Sequence, residues 1–282
     1  MMATITAADI KTLREQTGAG MLDVKNALVD AEGNRAKAIE ILRVKGLKGV
    51  TKREGRSASN GLVAAHTGDG VGVLVEVNCE TDFVAKGEKF SDLAQQVLEQ
   101  AVASGAADAE ALLASDMGGR TVQSVLDEAN AAIGEKIEVR RVARVSGGHV
   151  ASYLHRTSPD LPPQIGVLVA VDAAADAAPD RADIAKDVAM HTAAMSPSFL
   201  TREEVPSEVV ENERRIAEDT AREEGKPEAA LTKIVEGRVN GFFKENVLLE
   251  QPFAKEPKKT VTQVLTDVGA SVTAFARFRV GS

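Results

Sequence analysis

The sequence contains few of the residues that build disulfides, metal centres or phosphate-binding surfaces. Its 282 residues include one cysteine, Cys79, so no disulfide can form within the chain. The four histidines, His66, His149, His155 and His191, show no metal-ligand spacing. Lys and Arg number 34 against 42 Asp and Glu, and the net charge of −8 argues against a protein that mainly coats nucleic acid. We therefore expect no metal and no direct nucleic-acid partner.

Long apolar runs are missing as well. No stretch approaches the roughly 20 apolar residues that cross a bilayer, and residues 1–13 lack the apolar centre of a signal peptide. We expect a cytoplasmic protein without membrane contact. The 44% apolar and 27% charged composition is ordinary for a soluble globular chain of one to three domains.

Aromatic side chains are scarce. They make up 3% of the chain, with eight Phe, one Tyr and no Trp, so each large ring is expected to fill a core or to anchor a partner. Phe83 lies in the hexapeptide 81–86, Thr-Asp-Phe-Val-Ala-Lys, directly after the apolar run 71–77. A Phe that follows a strand usually folds back onto its own domain. The carboxylate of Asp82 beside the ring favours instead a ring that is displayed to a partner.

The first part of the chain, residues 1–47, has the pattern of a small helical module. A capping-box pattern at Thr6 opens a first helix, apolar residues at helical spacing over 21–31 predict a second, and a third is expected to end by Gly46. Residues 48–60 begin with a basic, glycine-containing stretch that is typical of an exposed linker. RNA binding by this stretch is an alternative, although it has no aromatic residue for base stacking.

An internal repeat indicates the architecture of the remaining chain. Residues 72–77, Gly-Val-Leu-Val-Glu-Val, return as 166–171, Gly-Val-Leu-Val-Ala-Val, and a later helix pattern and closing strand recur as well. Each copy is predicted to form a strand hairpin, then helices, then a third strand. Helices on one face of a small antiparallel sheet give an α+β fold. The predicted subdomains are 61–146 for the first copy, and 147–200 with 242–282 for the second.

Residues 201–241 interrupt the second copy. Pro206 favours a helix start, residues 225–227 a break, and apolar residues on both sides repeat at helical spacing, so we predict an inserted antiparallel helical hairpin. Such a coiled-coil arm could be an inert spur or a site of association. The sequence leaves open whether the chain forms a homodimer through it or through the second subdomain.

A search for catalytic chemistry finds little. The glycines of 68–72 connect two predicted strands, so they form a hairpin turn rather than a dinucleotide cradle. Cys79 continues a strand pattern, which favours a small core residue over a nucleophile. A hydrolase that uses His66 or His155 with an acid is a remaining but disfavoured alternative. We predict that the protein is not an enzyme and needs no cofactor.

Three segments together resemble bacterial elongation factor Ts: residues 13–21, the hexapeptide 81–86, and 235–238 with 251–253. The resemblance covers essentially the whole chain. It implies an N-terminal UBA-like module followed by two α+β subdomains, and a guanine-nucleotide exchange factor for elongation factor Tu, the GTPase that delivers aminoacyl-tRNA to the ribosome. An interaction scaffold without exchange activity is the alternative from another functional class.

The resemblance also implies site residues. In the family, the segment matching Thr81 to Val84 contacts the GTPase. Its residues matching Asp82 and Phe83 insert between helices of the nucleotide domain and disturb the elements that hold Mg²⁺ and phosphate. The GTPase is therefore expected as a partner in its GDP-bound and nucleotide-free states. Further contacts carried over by the resemblance lie on the N-terminal module, before a glycine, and in the second subdomain: Arg14, Met21, Leu22, Ile133, Tyr153 and His155.

Two of these contacts carry open alternatives. Ile133, which precedes Gly134, could equally be a core residue. The stretch 156–164 after His155 is longer than the family pattern suggests, which puts the geometry at His155 in question.

Overall fold

Three helices open the computed structural model, which describes residues 5–17, 19–53, 55–173 and 181–282. They are α1 (Ala7–Thr17), α2 (Met21–Asp30) and α3 (Arg35–Arg53), in agreement with the predicted helical module. The capping box before α1 is present, since the Thr6 N–H donates to the Asp9 carboxylate at 3.0 Å and the Asp9 N–H donates to the Thr6 hydroxyl oxygen at 3.2 Å. The module encloses a small core of its own: Leu13, Val24, Ala27, Leu28, Ala31, Ala38 and Leu42.

The third helix is longer than predicted. It passes through Gly46 and ends at Arg53, so the part of the predicted linker that begins at residue 48 is helical. A glycine inside a helix costs only about 1 kcal/mol relative to alanine, and the lysines that follow are good helix formers. One glycine was therefore too weak a signal for a helix end.

The first repeat contains a three-stranded antiparallel sheet in the order β1-β2-β3. In chain order its elements are β1 (Asn60–Gly68), β2 (Val71–Cys79), α4 (Asp82–Ala85), α5 (Glu88–Ser104), α6 (Ala109–Ala114), α7 (Val122–Ile133) and β3 (Ile137–Ser146). The helices α5, α6 and α7 cover one face of the sheet and share a buried core with it. This agrees with the predicted α+β architecture.

The second repeat has the same plan, with its sheet in the order β4-β5-β8. Its elements are β4 (His149–His155), β5 (Ile165–Ala173), α8 (Arg181–Met195), α9 (Ser207–Glu223), α10 (Glu228–Asn246), β6 (Pro252–Phe253), β7 (Glu256–Thr260), α11 (Val261–Asp267) and β8 (Ala270–Arg279). The repeat extends to detail, because both sheets change register at the equivalent point, between Glu76 and Val77 and between Ala170 and Val171. Within the described residues, no helix is long and apolar enough to cross a membrane.

The predicted helical hairpin is formed by α9 and α10, which pack against each other. The second helix continues five residues beyond the predicted end at Gly241, to Asn246. Arg238 joins the two helices, since its Nη2 lies 2.9 and 2.8 Å from the two carboxylate oxygens of Glu224 and its Nη1 donates to the Ala217 carbonyl. The family-like segment 235–238 therefore has a structural role within the hairpin.

The family-like segment 251–253 also has a structural role. The Gln251 side chain is 1% exposed, and its amide donates to the Glu245 carbonyl at 2.6 Å. Its oxygen lies 2.9 Å from His191 Nε2, and His191 Nδ1 accepts from the Ala254 N–H at 3.1 Å. These contacts tie the end of α10 to α8.

The two sheets pack on each other through the faces that their helices leave uncovered. A Cβ on Gly72 would lie 2.6 Å from Val150 Cγ1 and 3.0 Å from Leu168 Cδ2, and a Cβ on Gly166 would lie 2.4 Å from Val63 Cγ1 and 2.8 Å from Leu74 Cδ1. Each copy of the repeated hexapeptide thus supplies a glycine gap and a leucine to fill the gap of the other. Both central strands are buried on two faces, which explains why their sequences are mostly apolar. Glu76 is a buried exception and pairs with Arg141.

Candidate partner-binding surface

The hexapeptide 81–86, here called the Phe83 turn, presents an aromatic ring to solvent. Phe83 is 84% exposed, more than any other large apolar side chain in the described part of the chain. The two residues that follow it are packed, since Ala85 is 1% exposed and Val84 packs against the first core. Thr81 caps the single turn of α4 by accepting a hydrogen bond from the Val84 N–H at 3.3 Å. The predicted display of the ring is confirmed, whereas its role stays a prediction.

Asp82 places a negative charge beside that ring. Lys86 Nζ donates to Asp82 Oδ2 at 2.8 Å, and this hydrogen bond lowers the pKa of the Asp82 carboxyl. The same bond raises the pKa of Lys86, with a smaller contribution from the charge of Asp160. Asp82 is therefore ionised at neutral pH.

Two carboxylates hold the base of the turn. Glu135 accepts from the Thr81 N–H at 3.0 Å and from the Thr81 hydroxyl at 2.6 Å. Glu80 accepts from the Lys136 N–H at 2.6 Å and lies 3.3 Å from Arg56 Nη1. Sequence reasoning missed both acids, because partners 54 and 56 residues apart leave no local pattern.

The N-terminal module displays a second apolar surface. Met21 and Leu22, at the start of α2, are 60% and 69% exposed, and Arg14 on α1 is exposed. Val29, which sequence reasoning missed, is 54% exposed. It lies seven residues after Leu22 and so on the same helix face. Helical spacing from Leu22 could have identified it.

The module is docked on α7. Arg43 Nη2 of α3 lies 2.8 Å from Glu128 Oε1 of α7, and Arg120 pairs with the same carboxylate. A cleft of about 570 Å³ lies between the module and α7. Ile133, at the end of α7, is half-buried and packs against the first core, so its side chain is shared between core and surface.

The second subdomain contributes Tyr153 and His155. Tyr153 packs against the second core, and its hydroxyl lies 3.2 Å from Nδ1 of the exposed His155. The loop 156–164 is anchored to β1, because the Val63 N–H donates to the Pro163 carbonyl at 2.9 Å and the Gln164 amide donates to Gly61 at 2.7 Å. The end of this loop that precedes β5 is therefore held in place, which bears on the question that its length raised about His155.

The described residues offer little for catalysis. No group of three or more His, Cys, Asp or Glu among them could hold a metal ion. Cys79 is buried, and burial raises the pKa of its thiol to about 12, so the nucleophilic thiolate is not populated at neutral pH. The surface is suited to binding another macromolecule through exposed apolar side chains flanked by charge.

Comparison with known proteins identifies the family. The family model described as Elongation factor TS matches residues 80–282. Curated relatives called Elongation factor Ts include those of Kineococcus radiotolerans, 69% identical over 281 residues, and Micrococcus luteus, 65% identical over 281 residues, each alignment covering all of both chains. The relative from Beutenbergia cavernae is 63% identical and also covered over its full length. The resemblance found in the sequence is confirmed, and this chain belongs to the elongation factor Ts family.

Proposed function

We propose that this protein promotes the release of GDP from elongation factor Tu and so acts as its guanine-nucleotide exchange factor. The observation that carries the proposal is the 84% exposure of Phe83 on a turn whose next two residues, Val84 and Ala85, pack against the first core. Family membership supports it. The activity belongs to the cytoplasm, where translation takes place, and involves no chemical step catalysed by this chain.

The exposure of the ring favours binding energetically. Burying a Phe side chain in a partner contributes about 1.5–3 kcal/mol. A ring that was packed in its own core would first have to leave it, at a similar cost. Because Phe83 is already exposed, this apolar contribution is available in full to an intermolecular contact.

In the proposed mechanism, Phe83 enters between helices of the GTPase nucleotide domain with Asp82 beside it. GTPases hold the β-phosphate through Mg²⁺ and backbone amides, so a small displacement of these elements weakens nucleotide binding. The negative charge of Asp82 further disturbs the polar surroundings of the ion. Coupling of this kind is reciprocal, so GDP and GTP must each weaken the complex, and the factor accelerates exchange without selecting the nucleotide.

The other surfaces are proposed to provide affinity. Arg14, Met21 and Leu22 would contact the nucleotide domain, with Ile133 at the margin of that contact. Tyr153 and His155 would reach a second part of the GTPase. Loop 156–164 is anchored on β1 and α4 also packs against β1, which supports a common face for the His155 region and the Phe83 turn.

The test is the release rate of a fluorescent GDP from purified elongation factor Tu, measured with and without this protein. We expect acceleration by the parent protein and its loss in Phe83→Ala. Met195→Ala is the matched control, because Met195 is an exposed apolar residue, 46% exposed, at the end of α8 outside the proposed contacts. It should exchange like the parent.

Each outcome discriminates between functions. Binding of the GTPase without faster release would favour the interaction scaffold. Acceleration retained by Phe83→Ala would keep the function and reject the ring as its cause. Light scattering on the same samples will decide whether the chain acts as a monomer or as a homodimer.

A further inference from the structure

The base of the Phe83 turn contains a reciprocal pair of hydrogen-bonded acids. Glu80 directly follows β2 and accepts a hydrogen bond from the Lys136 N–H. Glu135 lies just after α7 and accepts a hydrogen bond from the Thr81 N–H. Each acid is thus the chain neighbour of the residue that the other acid binds. We propose that this pair, the two-carboxylate clamp, sets the orientation of Phe83, and that Glu135 is a positioning residue for nucleotide exchange. The proposal rests on the exchange function proposed above.

The helix that bears Phe83 cannot fix the ring unaided. It has four residues, a single turn, and one turn of helix is not stable by itself in water. With 84% of its side chain exposed, the ring has almost no packing of its own to orient it. The direction of the ring therefore depends on how the turn is attached, through the packing of Val84 and Ala85 after the ring and through Thr81 before it.

Glu135 controls the attachment at the N-terminal end through one hydroxyl. The Thr81 Oγ1 donates to Glu135 at 2.6 Å and accepts from the Val84 N–H at 3.3 Å. A carboxylate acceptor strengthens and orients such a hydroxyl, because charge-assisted hydrogen bonds are shorter and stronger than neutral ones. Glu135 thus selects the hydroxyl rotamer that caps α4, the helix on which Phe83 lies.

Arg56 extends the clamp toward the N-terminal module. Its guanidinium lies 3.3 Å from both Glu80 oxygens, and the Lys136 ammonium donates to the Arg56 carbonyl at 3.3 Å. Arg56 comes three residues after the last residue of α3. The backbone that leaves the module is therefore tied to Glu80 and Lys136, one half of the clamp.

This geometry predicts a kinetic signature. The N-terminal module and the His155 region make contacts that do not require the ring to be oriented. These contacts therefore set the factor concentration at which the GDP release rate is half-maximal. Insertion of the ring requires its orientation, and a disordered turn must be ordered at that step at an entropic cost. Loss of the clamp should lower the maximal release rate and leave the half-saturating concentration nearly unchanged.

The first experiment compares Glu135→Gln with the parent in fluorescent-GDP release over a range of factor concentrations. Glutamine preserves size but keeps only one acceptor oxygen for the two Thr81 donors. We expect the maximal rate to fall about fivefold, as for loss of one hydrogen bond of ordinary net strength. The control is Glu99→Gln, which removes the same charge from the same subdomain. Glu99 is an exposed residue of α5 that accepts a hydrogen bond from Gln95. This variant should match the parent.

A second readout uses the protein alone. Hydrogen exchange of the Thr81 amide, whose acceptor is Glu135, should accelerate in Glu135→Gln while the melting temperature stays close to that of the parent. Thr81→Val, which removes the hydroxyl, should lower the maximal rate as well, and the double variant should lose less than the sum of the two. If Glu135→Gln fails to fold, Thr81→Val provides the same comparison.

The failure of this proposal is distinct from failure of the proposed function. If the parent does not accelerate GDP release, the exchange function is rejected, and with it the role of Glu135 in exchange. If the parent accelerates release and Glu135→Gln matches it in maximal rate and in Thr81 amide exchange, the clamp is rejected and the function stands. A higher half-saturating concentration with an unchanged maximal rate would also overturn the positioning role.

Discussion

Replacing Gly166 with alanine tests how closely the two sheets pack. The new Cβ would lie 2.4 Å from Val63 Cγ1 and 2.8 Å from Leu74 Cδ1, and both of these side chains are fully buried between the sheets. Overpacking of this kind costs about 1–3 kcal/mol. Alanine in a strand recovers about 0.5–1 kcal/mol of backbone entropy relative to glycine. We therefore expect Gly166→Ala to lower the free energy of unfolding by about 1–2 kcal/mol.

The matched control for this prediction is Gly237→Ala. Gly237 lies inside α10, and beyond the backbone of its own helix no described atom lies within 4 Å of the position that its Cβ would take, so alanine adds helix propensity without a clash. It should raise the free energy of unfolding by about 0.5–1 kcal/mol. The assay is urea unfolding followed by circular dichroism, with the slope on urea unchanged. A Gly166→Ala protein as stable as the parent, or a shift of equal sign in both variants, would refute the argument.

Three further predictions concern buried groups and a helix cap. The thiol of Cys79 is buried and its pKa is raised to about 12, so it should not react with a thiol reagent at pH 8 in the folded protein. It should react fully in denaturant. Rapid reaction of the folded protein would contradict its burial. Burial lowers the pKa of His191, so the unfolded chain binds its proton more readily and the free energy of unfolding should decrease as pH falls below the ordinary value of 6.5. His191→Gln should reduce this slope in urea unfolding at pH 7.5 and 5.5, and an unchanged slope would assign it to other groups. Thr260 and Gln263 form a complete capping box before α11, so Thr260→Ala should cost about 1 kcal/mol in the same assay while Thr260→Ser stays near the parent.

The parts of the fold that repeat along the chain could be predicted from the sequence. The segments 72–77 and 166–171 are mostly apolar without alternation, which is typical of a strand buried on both faces. Their recurrence predicted two sheets of similar plan. Which faces meet was not predictable, because Gly72 and Leu168 come together only when two sheets from distant parts of the chain pack on each other.

The exposed ring of Phe83 could be predicted, but its support could not. Composition and the adjacent carboxylate already favoured a displayed aromatic. The clamp joins Thr81 to Glu135 and Glu80 to Lys136 across more than fifty residues, and no spacing rule reports such contacts. The end of α3 was predicted wrongly for a local reason. Gly46 was interpreted as a helix end, but the helix formers around it keep the chain helical to Arg53.

The short helix α7 has a consequence for how the chain can vary in length. At one place along it Glu128 meets Arg43 of the module, and just beyond its end Glu135 meets Thr81. One inserted residue between these points would rotate one contact by about 100° relative to the other and lengthen the helix by about 1.5 Å. The length of the helix between Glu128 and Glu135 therefore fixes both contacts at once, and an inserted residue would break one of them. Near the tip of the hairpin, by contrast, the ion pair of Arg222 with Glu228 joins α9 and α10 to each other, so whole turns added to both helices would leave the two contacts of α7 in register.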